Sequence, residues 1–144
     1  MPFWNEKLET HHPNIDADHC ELFRMLESFK AAVEGGAGRE QIVELIIILQ
    51  RYALEHFTRE EAYMERIQCP TLKANCAAHR DFEQKLEHWL VILTMAGSPV
   101  SVMMDVHREA FDWIENHILR VDCGLRHCSR TPGASKSSAS PETA

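Results

Sequence analysis

The sequence lacks any apolar stretch long enough to cross a membrane: its longest apolar runs, such as Leu45 to Leu49, stop at five residues, where a spanning helix needs roughly 20. The opening residues Met1-Pro2-Phe3-Trp4-Asn5-Glu6-Lys7 contain no apolar block of the kind a signal peptide carries. The expected location is therefore the cytoplasm. Positive charge is scarce as well: 15 Lys and Arg stand against 22 Asp and Glu, a formal net charge of −7. No basic stripe runs along any segment, which excludes a nucleic-acid surface. The five cysteines are odd in number, irregularly spaced and without a C-x-x-C pair. They make a poor disulfide framework and a poor zinc site. The zinc-protease pattern H-E-x-x-H is absent too.

What the sequence does have is nine histidines in 144 residues, and a chain of that length can bury one sizeable core. Three breaks punctuate it: Gly35-Gly36-Ala37-Gly38, Cys69-Pro70 and Gly97-Ser98-Pro99. Between them lie four segments with apolar residues at helical spacing, over about 18–34, 39–67, 71–96 and 100–121. Asp16 reads as the N-cap of the first. In the second, Ile46-Ile47-Ile48 has strand propensity, but the three-and-four spacing continues unbroken through Ile67 and makes helix the better reading. Four helices with short connections predict an all-α, antiparallel up-down-up-down bundle over residues 1–128. Residues 129–144, rich in Ser, Ala, Pro and Thr, read as a disordered tail.

The apolar stripes are interrupted in an informative way. His56 and Glu60 lie four apart on one helical face, as do Asn75 and His79, while His117 and His19 occupy the inner faces of the last and first segments. A lone buried histidine is ordinarily a satisfied core residue. Here, antiparallel packing brings His19, His56, His79 and His117 to the same end of the bundle. Burying such groups without strong partners would cost roughly 1–3 kcal/mol each, against a total stability of about 5–15 kcal/mol. A bound metal turns each lone pair into a bond, and imidazole with carboxylate suits iron, manganese or zinc.

Several segments resemble the bacterial hemerythrins: Trp4, Ile15-Asp16-Ala17-Asp18-His19, Tyr52 through Glu61 with Met64, Pro70 followed by His79-Arg80-Asp81-Phe82, and Trp113-Ile114-Glu115-Asn116-His117-Ile118 followed by Asp122. The likeness spans residues 4–122. It implies non-haem iron inside the bundle: two irons bridged by two carboxylates and an oxo or hydroxo group, one held by three histidines and one by two. By resemblance His19 and His56 belong to the two-histidine iron, His79 and His117 to the other, and Glu60 and Asp122 are the bridges. The remaining family histidine falls at Asn75, so six ligands of seven are present. Three outcomes stay open: both irons with Asn75 or water completing the altered one; a single iron on His19, His56 and the carboxylates; or Cys76 turning in as a thiolate.

The function implied is binding of dioxygen for storage, delivery or sensing (oxygen transport in the broad sense), in a monomer or small homo-oligomer, with a separate protein partner if it senses. The alternative is an iron enzyme acting on peroxide or nitric oxide at a site opened by Asn75. A metal-free helical scaffold is a third class. Elsewhere, His11, His12 and His88 read as surface residues, Glu61 as solvated, and His107 as a partly buried structural residue. Cys123 and Cys128 read as inert exposed thiols. Trp89 and Trp113 read as core aromatics, Trp113 close enough to His117 to wall an oxygen pocket.

Overall fold

A computed structural model describes residues 6–95 and 99–120. Four long helices, α1 (Pro13–Glu34), α2 (Arg39–Arg66), α3 (Leu72–Thr94) and α4 (Val100–Arg120), follow one 3₁₀ turn at Glu6–Leu8. No strand occurs among the described residues, so Ile46-Ile47-Ile48 is helical. Each helix packs on the next and α4 returns to α1, the ring of an all-α four-helix bundle. None of these helices is long and apolar enough to cross a membrane. The expected tail, Asp122, Cys123, His127 and Cys128 lie outside the described residues.

The first helix begins earlier than its apolar pattern indicates. Pro13 occupies its first turn and His12 the cap position, without a side-chain cap; proline suits that turn because its missing N–H would have no helical partner. Asp16 is therefore inside the helix rather than at its cap. Its Oδ1 instead accepts hydrogen bonds from the Thr10 backbone N–H and the Thr10 hydroxyl, both at 2.9 Å. This ties the entering chain to the helix. At the other end the Gly36 backbone takes a φ of 83°, left-handed geometry that glycine adopts without a Cβ clash. The Ala37 amide then closes on the Ala32 carbonyl at 2.9 Å.

Two apolar bodies fill the bundle. The larger includes Phe23, Phe29, Ile42, Ile46, Phe82, Leu86, Trp89 and Leu93. The smaller, Ile15, Met64 and Cys69, closes the end where α1 starts and α2 finishes. Cys69 is disulfide-bonded, although the odd and irregularly spaced cysteines read as a poor disulfide framework. Cys20 and Cys76 are free thiols. His88 and His11 are exposed as expected, but His12 is half-buried, its Nδ1 hydrogen-bonded to the Tyr63 hydroxyl at 2.8 Å. His107 is half-buried and stacks with Phe29 and Phe111 at 6.3 and 6.2 Å.

Candidate metal centre

Between the two apolar bodies lies a polar layer. His19 from α1, His56 and Glu60 from α2, Asn75 and His79 from α3 and His117 from α4 are all buried there. Helical geometry sets this convergence, since residues four apart share a face and each pair falls in the stripe that would otherwise be apolar. The rings of His19 and His56 are 4.8 Å apart and those of His79 and His117 5.1 Å apart. Neighbouring helices run in opposite senses, which is why a residue early in α1 meets one late in α2.

Glu60 stands at the middle. Its Oε2 faces the Nε2 atoms of His19 and His56 at 3.6 and 3.7 Å. Its Oε1 faces His79 Nε2 at 3.0 Å. Two three-donor groups result, His19–His56–Glu60 and Glu60–His79–His117, each with its donor atoms within 4.8 Å of one another. One carboxylate thus serves two adjoining positions. The donors, imidazole and carboxylate with no thiolate in either group, fit a borderline cation such as iron. The residues present therefore fit non-haem iron.

A second ring of groups orients these donors. His56 Nδ1 donates to Asp18 Oδ2 at 3.0 Å, and the Tyr52 hydroxyl and Arg59 guanidinium donate to the same carboxylate at 2.7 and 3.2 Å. Burial pushes the Asp18 carboxyl up, but the hydrogen bonds from His56, Tyr52 and Arg59 prevail and hold it far below the usual carboxylate range. Burial, with Asp18 beside it, pushes the Tyr52 hydroxyl up to about 12. On the opposite side His79 Nδ1 donates to Glu61 Oε2 at 2.6 Å, and Arg80 donates to that oxygen at 3.1 Å. Each carboxylate fixes which ring nitrogen turns inward. Glu61 is thus half-buried and engaged rather than solvated. The apolar pattern does not mark Asp18, Tyr52, Arg59 or Arg80 as partners of these donors; the one signal is Tyr52, four residues before His56 on the same face.

Asn75 occupies the position expected of a seventh ligand, and its side chain is turned for another task. Its Nδ2 donates to Glu60 Oε1 at 2.8 Å and to Met64 Sδ at 3.0 Å. Cys76 is half-buried, and its thiol is pushed up by burial and by the nearby negative charge of Glu61. It lies beside the second ring, not within either donor group. Trp113 stacks on His117 at 4.6 Å and, with His19 and His56, bounds a small internal cavity.

The family of the Hemerythrin HHE cation binding domain matches residues 10–124, most of the chain. A myohemerythrin from Theromyzon tessulatum is 25% identical over 119 residues, covering 83% of this chain and 86% of that protein. A bacteriohemerythrin from Clostridium acetobutylicum is 26% identical over 127 residues, covering 85% and 96%. The likeness therefore takes in the whole bundle rather than one helix pair.

Proposed function

The chain belongs to the hemerythrin family, a family of non-haem iron and dioxygen binding, and on that premise we propose that His19, His56, Glu60, His79, His117 and Asp122 hold two irons which bind dioxygen reversibly. The observation carrying this reading is the pair of donor groups that share Glu60, one oxygen toward each. His19 and His56 serve one iron; His79 and His117 serve the other. Asp122 enters as the second bridge on the resemblance alone. Iron supplies the redox chemistry of dioxygen binding. The chain's own part is to fix the imidazoles through Asp18 and Glu61 and to keep the layer dry between apolar bodies. Storage, delivery and sensing share this chemistry, and sensing would call on a separate protein partner.

Purified protein should contain two irons per chain by metal analysis. After reduction and exposure to air it should develop a visible charge-transfer band that fades under vacuum. Two irons with a band that never fades would reject reversible binding; absence of iron after aerobic purification would reject the centre itself.

A second reading is favoured by the amide of Asn75. With an amide at Asn75 where the resemblance implies imidazole, and its N–H directed at Glu60 Oε1, the His79–His117 side is one imidazole short of the family's three. In this reading that side binds iron loosely, and a one-iron or easily oxidised centre reacts with peroxide or nitric oxide as an enzyme. Restoring imidazole with Asn75→His should then raise the iron content from one to two per chain. An unchanged content of two in both proteins would remove this alternative.

A further inference from the structure

Two cavities meet at Trp113. Among the described residues a surface groove of about 460 Å³ runs between α3 and α4, past Lys85, Trp113, Asn116, His117 and Arg120. At the level of the metal centre lies an internal cavity of about 10 Å³, bounded by His19 and His56 and by apolar side chains including Leu22, Phe57, Phe82 and Ile114. Trp113 and His117 alone belong to both walls. His117 is a donor of the centre and is held there. Trp113 is the part of the partition free of that duty.

The indole is held in two ways. Its faces stack on His117, at 4.6 Å and 14° between planes, and on Phe82, at 4.3 Å and 27°. Its edge is held by a single hydrogen bond, Nε1–H to Asp81 Oδ2 at 3.1 Å, on the exposed side of α3. A bond so open to water is cheap to break, since water replaces the lost partner. The stacked faces allow the ring to slide within its own plane while it stays in contact. We propose that Trp113 is a door between the α3–α4 groove and the internal cavity, that Asp81 is its latch, and that it admits small uncharged ligands of dioxygen size. An internal space close to that of one water, with largely apolar walls, excludes larger and charged species. This inference rests on the iron and dioxygen reading above.

A door changes how fast a ligand passes, not how tightly it is held. In iron-loaded, reduced protein, Asp81→Ala should raise the dioxygen association and dissociation rate constants together, about three- to tenfold, with their ratio unchanged. Trp113→Phe keeps a stacking ring but loses the N–H, and should do the same. The double variant should exceed neither single one, because both remove one bond. Glu109→Ala removes the hydrogen bond that holds Trp89 elsewhere in the groove, at 2.9 Å, and should leave both rates unchanged. Rates unaltered by Asp81→Ala and Trp113→Phe, a changed ratio, or an equal effect of Glu109→Ala would each overturn the proposal. Failure to bind iron would instead sink the function proposed above. In that event, quenching of Trp113 fluorescence by dissolved dioxygen, in a Trp4→Phe/Trp89→Phe background, carries the test. Asp81→Ala should increase the quenching, and equal quenching with and without the latch overturns the door.

Discussion

Asp18 accepts hydrogen bonds from three side chains of α2, and one of them is a histidine of the centre; Glu61 holds His79 in the same manner from α2 toward α3. Outer carboxylates of this kind set the tautomer and aim of the ring, and their loss typically costs 10–100-fold in metal affinity. Asp18→Asn and Glu61→Gln should therefore each weaken iron binding by about that factor, measured by competition with a chelator, while helix content by circular dichroism stays unchanged. His107 makes a different prediction. Burial, with Lys30 nearby, lowers its proton affinity, so the folded protein resists a proton that the unfolded chain accepts. The sign follows: stability is intact above the ordinary histidine value of about 6.5 and falls as pH drops below it toward the lowered value. His107→Phe should flatten that part of the pH profile of the melting temperature. Of these residues, the four inward histidines and Glu60 were legible in the sequence because each interrupts an apolar stripe. Glu61 was not, because it points off the stripe and its partner is 18 residues away. His12 was hidden for the same reason, with Tyr63 51 residues distant.

The helices themselves were readable almost to the residue where glycine and proline mark their ends, as at Gly35 and around Pro70 and Pro99. The start of α1 is unmarked in the sequence because no side chain caps it; a local contact, the buried Thr10 against Asp16, fixes the entering chain instead. That contact decides how the chain enters the bundle. Thr10→Val keeps the shape but removes the hydroxyl that donates to Asp16 and accepts from the His12 amide at 3.2 Å. It should cost about 1–2 kcal/mol, read as a lower denaturation midpoint with unchanged slope. The cost should fall on unfolding and on the order of α1's first turn, not on the far end of that helix. Cys69 belongs to this scale too: its disulfide could not be read from an odd set of cysteines, since pairing depends on which loops the fold brings together.

For the whole molecule, bundle topology was legible because period and connection length leave few arrangements, whereas the pairing of carboxylates with histidines required coordinates. Ligands that bind only the folded state stabilise it by mass action, about 4 kcal/mol when present at a thousand times their dissociation constant. Removing iron by reduction and chelation should accordingly lower the melting temperature, and re-addition should restore it; a melting curve indifferent to iron would show that the layer is not a metal site. The softening should also be uneven. Because the histidine layer lies between a broad core and the small cluster of Ile15, Met64 and Cys69, bound iron would act as mortar between a foundation and a thin coping. Stripped of it, the coping would loosen first, and amide exchange near Ile15 and Met64 would quicken while the foundation around Leu86 and Leu93 kept its protection.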